Sequence, residues 1–139
     1  MEVKTPTDPA GRVLVVKRRD AHKRDATAFV EAWRKEAAKL ARRIVAVRAL
    51  LPNVVVPDAV LERGALLCMN LGTDGLRGDL RLLRAARALA VFDGAAAVTD
   101  HHLCNIAPSA LRHRLRRNPL DDAGSSVRVE RALAEMFGA

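Results

Sequence analysis

The chain has 139 residues, which is enough for one domain or part of a larger protein, and it carries a formal net charge of +8. Such an excess indicates an anionic partner, namely nucleic acid, nucleotide phosphate or an acidic protein surface, although a GC-rich genome would also favour arginine. Only 3% of the residues are aromatic, so we expect a core of Ala, Leu and Val. The abundance of Ala and Leu favours a helical fold.

The composition also bears on the cell compartment. No apolar run reaches membrane-spanning length, and the first residues do not have the pattern of a signal peptide. Two cysteines, Cys68 and Cys104, lie in apolar helical patterns, where we expect them to be small core residues. A reducing, cytoplasmic location and no membrane partner are the resulting expectations.

Residues 1–19 differ from the rest of the chain. They contain two prolines and Gly11, followed by the β-branched run Arg12-Val13-Leu14-Val15-Val16, which predicts a loop leading into a short strand. Since one strand is not stable by itself, we expect it to pair with another part of a larger protein. The predicted organisation is an extended lead-in at 1–19 and a helical domain at 20–139.

The first predicted helix runs from about Thr27 to Leu51, and Pro52 ends it. Apolar residues spaced by three and four form one narrow stripe along it. The stripe comprises Phe29, Trp33, Ala37, Leu40, Ile44, Val47 and Leu51.

Three or four shorter helices follow. Pro57-Asp58 opens the second helix and Gly72 fits its end, with Thr73 or Asp74 as the cap of the third, which we expect from about Gly75 to Phe92. Thr99 is the expected N-cap of the fourth helix, in which Pro108 should kink or split the helix near Ala107. A last helix is expected from about Ser126 to Met136, which makes an all-α bundle of four or five helices.

The third helix carries the most informative charge pattern. Arg77, Arg81 and Arg84 are spaced by four and three and lie within about 60° on one face. Arg77 is in the first turn, where free backbone donors and the positive end of the helix dipole favour an anion. Spacing alone favours an ordinary solvated basic face, with a phosphate contact as the alternative.

Other candidate sites are weaker. There is no Gly-rich loop ending in Gly-Lys-Ser/Thr, so the chain has no phosphate loop of its own. His101, His102, Cys104 and His113 do not have the spacing of a metal site, and we expect surface histidines and no metal. Asp121-Asp122 is interpreted as a solvated turn, and the basic run 112–117 lacks the aromatic residues that usually stack on nucleic-acid bases.

Two segments together resemble the I subunit of magnesium chelatases. They are Leu71-Gly-Thr-Asp-Gly-Leu-Arg-Gly-Asp-Leu-Arg-Leu-Leu-Arg-Ala-Ala-Arg-Ala-Leu-Ala90 and Leu111-Arg-His-Arg-Leu-Arg-Arg-Asn-Pro-Leu-Asp-Asp-Ala-Gly-Ser125. The stretch Val13 to Asp20 and the Phe29…Trp33 helix are also similar to that family. Nearly the whole chain is covered by the resemblance, which implies the C-terminal helical lid of an AAA+ ATPase.

The resemblance implies specific roles for residues. Arg77 corresponds to the family's second sensor, which reaches from the lid to the terminal phosphate of ATP, and Arg81 and Arg84 are further candidates for nucleotide or subunit contacts. ATP and Mg²⁺ would be held mainly by an upstream core with the Walker motifs, and the lid alone would be inactive.

The resemblance also implies an assembly and a reaction. The I subunits form a ring, expected to be a hexamer, which works with D and H subunits as an ATP-dependent ligase that forms nitrogen–metal bonds. The complex inserts Mg²⁺ into protoporphyrin IX on the way to chlorophyll or bacteriochlorophyll. The alternative from the residues alone is a basic helical module that binds nucleic acid or docks a subunit.

Overall fold

The computed structural model describes residues 5–73, 75–115 and 124–138, and its regular structure in these ranges is helical. The helices are α1 (Pro9–Arg24), α2 (Ala26–Leu50), a 3₁₀ turn (Leu51–Asn53), α3 (Asp58–Asn70), α4 (Arg77–Phe92), α5 (Asp100–Leu111) and α6 (Ser125–Phe137). The predicted all-α class is therefore confirmed. The described helices include none that is long and apolar enough to cross a membrane.

The chain forms two compact units, Met1–Val45 and Ala46–Ala139. The first unit contains α1 and most of α2, and neither helix buries a residue among the described part of the chain. The strand predicted at 12–16 is wrong, because these residues lie within α1, which Asp8 caps by accepting a hydrogen bond from the Gly11 amide. A helix satisfies its own backbone hydrogen bonds, whereas a strand needs a second strand beside it.

The predicted apolar stripe of α2 is present but largely uncovered. Leu40 and Ile44 are 51% and 49% exposed, and the Trp33 ring is in contact with the Arg18 guanidinium, 4.7 Å from the ring centroid. In the second unit, Val47 and Leu51 at the end of the stripe pack against the core. The helix itself was predicted to within one residue at either end.

The core of the second unit lies among α3, α4, α5 and α6. As composition predicted, it consists of small aliphatic side chains and contains no aromatic ring among the fully buried residues that the structure describes. The largest of these are Leu67, Leu82, Leu103, Leu111, Val98, Val129 and Cys68. Cys68 is buried as expected, and Cys104 is half-buried.

Glycines end α3 and α4 in the same way. Gly72 (φ 64°) follows α3, and the amides of Gly72 and Thr73 donate to the carbonyls of Met69 and Cys68. This is the Schellman arrangement, in which a left-handed residue lets the chain turn back onto the last helical carbonyls. Gly94 repeats it after α4. The next helix starts at Arg77, with Leu76 rather than Thr73 as its N-cap, and Asp74 lies outside the described residues.

α5 begins after Thr99, as predicted, but it continues through Pro108 to Leu111. The predicted split near Ala107 is therefore wrong. Ala107 and Leu111 are both fully buried, so the packing of this face offsets the backbone hydrogen bond that proline cannot donate.

The prediction of surface histidines is wrong for His102, which is only 5% exposed. Its Nδ1 accepts a hydrogen bond of 3.0 Å from the Thr99 amide, so the imidazole takes the place that Glu or Gln usually fills at the start of a helix. The last predicted helix is present as α6. The pair Asp121-Asp122 and the end of the basic run 112–117 lie outside the described residues.

Candidate functional site

The start of α4 is held by the turn that connects it to α3. After Gly72, the chain reverses again at Gly75 (φ 56°), a left-handed conformation that residues with a side chain rarely adopt. Thr73 anchors this turn: its amide and its hydroxyl both donate to the Cys68 carbonyl, at 3.1 and 3.2 Å. An isolated antiparallel bridge also joins Thr73 to Leu115, so the turn is attached on both sides.

Thr73 packs directly against the first turn of α4. A Cβ placed on the buried Gly78 would lie 2.6 Å from Thr73 Oγ1 and 2.9 Å from Thr73 Cβ, so no larger residue fits there without a shift. Neighbouring Arg77 therefore begins the helix at a position that the anchored turn defines. The sequence alone does not predict this contact, because the pairing of Thr73 with Gly78 depends on the direction of the turn.

Arg77, Arg81 and Arg84 are all exposed on α4. No hydrogen bond or ion pair joins any of the three to another residue within the described ranges. Their guanidinium groups carry a permanent charge and forked donors, which match phosphate and carboxylate oxygens. The arrangement fits an anion presented to α4 from outside the helix bundle.

An apolar groove of about 280 Å³ lies between α3 and α4, and Leu76, the residue before Arg77, is part of its lining. Its outer edge is formed by Leu61, Leu76 and Leu80, which are 40%, 76% and 51% exposed, and Leu82 and Leu103 form part of its wall. Of the described residues that line it, Asp79 is the one that carries a charge. Large exposed leucines around a groove are typical of a surface that another protein segment covers.

Cys68, whose carbonyl accepts the hydrogen bonds from Thr73, also carries a buried thiol. Burial raises its pKa from 9.0 to about 11, the negative charge of Asp79 adds to this increase, and the hydrogen bond with Thr73 opposes it. Burial likewise raises the pKa of the Cys104 thiol, together with the charge of Asp100. Both thiols are therefore protonated at neutral pH and are poor nucleophiles or metal ligands.

A second, more polar pocket lies where α3, α5 and α6 meet. Arg63 forms an ion pair of 2.9 Å with Asp100, and His101 lies 2.9 Å from the Asn105 amide nitrogen. Within the described residues, no group of three or more His, Cys, Asp or Glu side chains is placed to hold a metal ion.

Several known proteins similar to this chain are named as subunits of magnesium chelatase. The chain is 53% identical over 137 residues to the magnesium-chelatase 38 kDa subunit of Acidiphilium rubrum, covering 99% of the chain and 40% of that protein. Identity to the magnesium-chelatase 38 kDa subunit of Cereibacter sphaeroides is 54%, and the match covers 99% of this chain and 41% of that protein. Identity to the magnesium-chelatase subunit ChlI of Euglena gracilis is 34%, and the match covers 98% of this chain and 39% of that protein. The chain thus spans about two fifths of the length of these relatives.

A solved structure described as a model of the complex between subunits BchI and BchD of magnesium chelatase is 42% identical, with a TM-score of 0.41, and 95% of this chain and 39% of that chain are covered. Residues 62–134 also match a domain family, the AAA lid domain. This match extends over more than half of the chain and includes α4 with its arginines. The chain therefore belongs to the AAA lid domain family.

Proposed function

We propose that this chain is the lid of an ATP-hydrolysing magnesium chelatase subunit, and that its Arg77 contacts the terminal phosphate of ATP held on an ATPase core. The observation that carries the proposal is the position of Arg77, the first residue of α4, exposed and without a partner among the described residues. The similarity to magnesium-chelatase subunits over nearly the whole chain supports it.

The chemistry of the proposed contact is electrostatic. When the terminal phosphoryl group is transferred to water, charge spreads over its oxygens, and a guanidinium fixed nearby stabilises that charge. Arg77 supplies the cation from the lid, so the lid position and the state of the nucleotide become linked. Walker motifs on the core would bind ATP and Mg²⁺, because the sequence of this chain contains no Gly-Lys-Ser/Thr phosphate loop.

The other two arginines are assigned by distance. Arg81 and Arg84 lie about 6 and 10 Å from Arg77 along the helix axis, since each helical residue rises about 1.5 Å. One phosphate is too small to contact all three guanidinium groups. We therefore assign Arg81 to the nucleotide's edge or a neighbouring subunit, and Arg84 to a neighbouring subunit.

The groove beside Arg77 is the proposed contact with the ATPase core. Covering the exposed edge formed by Leu61, Leu76 and Leu80 would contribute roughly 1 to 2 kcal/mol for each leucine. The uncovered stripe of α2 is a second apolar surface for the same assembly. In this proposal the lid closes on the nucleotide by apolar contact, and Arg77 provides the specific interaction.

We extend the proposal to the whole protein as follows. The subunit forms a ring, proposed to be a hexamer, which works in the cytoplasm with D and H subunits to drive insertion of Mg²⁺ into protoporphyrin IX. The chain by itself is proposed to be inactive as a ligase. Porphyrin and the inserted metal are substrates bound elsewhere in the complex.

The experiment replaces Arg77 with Ala in the full-length subunit and measures ATP hydrolysis and chelation by the assembled complex. Loss of a charge-stabilising donor should lower the kcat for ATP hydrolysis by about 100-fold or more. Arg87→Ala is the matched control, because Arg87 is an exposed arginine of the same helix, about 15 Å further along the axis. Unchanged turnover and chelation in Arg77→Ala would refute the proposal.

The alternative is a basic module that binds nucleic acid, and the net charge of +8 is the observation that favours it. Binding of duplex DNA or RNA measured over a range of salt concentrations distinguishes the two. Tight binding that weakens steeply with salt would support the alternative, because it reports release of counterions from phosphates.

A further inference from the structure

We propose that Thr73 is a positioning residue, which acts through its contact with Gly78 to aim Arg77 at the nucleotide. The inference rests on the proposed function of Arg77 and adds the element that fixes the direction of its side chain. It depends on three observations: the anchoring of Thr73, its close approach to Gly78, and the place of Arg77 next to that glycine.

The anchoring makes Thr73 a fixed point. Its two hydrogen bonds to the Cys68 carbonyl attach it to the end of α3, and the bridge to Leu115 attaches it to the segment after α5. Cys68 is itself fully buried, so the carbonyl that holds Thr73 belongs to the rigid core. Thr73 is therefore held in a fixed position relative to the core, and a segment that packs against Thr73 is positioned by it.

The first turn of α4 packs against that fixed point. Gly78 allows the backbone of the turn to approach to where an added Cβ would be 2.6 Å from the threonine Oγ1. Glycine is less favourable than alanine inside a helix, so its presence here is explained by the close approach. Because Arg77 is the neighbouring residue, a shift of α4 away from Thr73 moves the backbone from which the Arg77 side chain extends.

The buried helical glycine Gly64 of the same unit has no such tight approach. Gly64 is also buried in a helix, but a Cβ added to it would be 3.8 Å from Leu82, an ordinary contact distance. Gly64→Ala is therefore the matched control for Gly78→Ala. Both changes add one methyl group to a buried helical glycine, and only one of them pushes against Thr73.

The test measures ATP hydrolysis by the full-length subunit in the assembled complex. Gly78→Ala should lower kcat by about 10-fold or more with little change in KM for ATP, because misplacement of a group by about 1 Å impairs the transition state most. Gly64→Ala should lower kcat much less than Gly78→Ala, because its added methyl group meets Leu82 at an ordinary contact distance. Combining Gly78→Ala with Thr73→Gly, which removes the clashing atoms, should recover part of the lost kcat.

A background with Arg77→Lys separates aiming from simple destabilisation. If Thr73 and Gly78 act through Arg77, Gly78→Ala causes a much smaller loss in this background than in the wild type. An equal loss in both backgrounds, or a wild-type kcat for Gly78→Ala, overturns the inference. Should Gly78→Ala not fold, Thr73→Gly alone tests it: kcat should fall several-fold in the wild type and remain unchanged in the Arg77→Lys background, and any other result counts against it.

The two proposals fail separately. Normal ATP turnover in Arg77→Ala removes the proposed function and this inference with it. A strong effect of Arg77→Ala with none from Gly78→Ala removes only the role of Thr73.

Discussion

The thiol of Cys68 is a single titrating group whose surroundings favour its neutral form. Burial and the charge of Asp79 raise its pKa from 9.0 to about 11. Because Thr73 is hydrogen-bonded to the carbonyl of the same residue, ionisation of this thiol would place a charge on the residue that holds Thr73. The stability of the domain should therefore depend on pH in the alkaline range.

The sign of this dependence follows from the two pKa values. The unfolded thiol loses its proton near pH 9, whereas the folded thiol retains its proton until about pH 11, so the unfolded state binds fewer protons between them. The free energy of unfolding should fall by about 3 kcal/mol as the pH rises through this window. Urea titrations of the wild type and of Cys68→Ala measure the difference.

Cys104→Ala is the control for this experiment, since it leaves Cys68 in place and should retain the Cys68-dependent part of the slope. An identical pH dependence for the wild type and Cys68→Ala would contradict the raised pKa.

At the level of single residues, sequence and structure agree best where a residue acts alone. Arg77 is exposed near the start of its helix, as the spacing predicts, and Gly72 ends α3 in a left-handed conformation. His102 was misassigned to the surface because helical spacing gives the angle between neighbouring side chains but not which angle faces the core. The contact of Thr73 with Gly78 was not predictable, since it arises from the path of the turn.

At the level of elements, the cap of α5 gives a direct test of how a helix starts here. The Thr99 amide donates to Nδ1 of His102, and the ring is buried. His102→Gln should retain the hydrogen bond, because glutamine commonly fills this place in a capping box. His102→Ala should lower the free energy of unfolding by about 1 to 2 kcal/mol, measured by thermal or urea denaturation. Equal destabilisation in both variants would assign the effect to ring packing instead.

The elements also show why the N-terminal prediction was wrong. Arg12 to Val16 has the β-branched composition of a strand, but a strand is stable only beside a partner, and the described residues form α1 there. The helix end at Gly72 and the helix start at Thr99 were predicted correctly, because local backbone chemistry determines them. The continuity of α5 through Pro108 depends instead on tertiary packing, which overrides the local signal.

At the level of the whole molecule, two leucines on the same helix separate folding from docking. Leu82 is 1% exposed in the core, and Leu80 is 51% exposed at the edge of the groove. Leu82→Ala should destabilise the domain by about 2 to 5 kcal/mol, because it leaves a cavity. Leu80→Ala should change the free energy of unfolding by less than about 0.5 kcal/mol in urea denaturation.

The full-length subunit supplies the second half of this comparison. There, Leu80→Ala should lower the rate of ATP hydrolysis, since the groove would lose part of its apolar contact with the ATPase core. Wild-type hydrolysis together with a large loss of stability would mean that Leu80 supports the fold rather than an interface.

Much of the global architecture was predictable, because abundant Ala and Leu with few aromatic residues favours a bundle of closely packed helices. The groove between α3 and α4 was not, since it depends on which leucines remain outside the core after packing. The anchored turn and the groove together define the face that carries Arg77, and neither is visible in the spacing of residues along the chain.

The proposed role of Arg77 depends on one distance, from its guanidinium to the terminal phosphate of ATP. It can be measured directly in a structure of the full-length ring bound to a non-hydrolysable ATP analogue and Mg²⁺. We predict charge-assisted hydrogen bonds of about 2.7 to 2.9 Å from Arg77 to the terminal phosphate oxygens. An Arg77 side chain paired with a carboxylate of its own lid, and out of reach of the nucleotide, would contradict it.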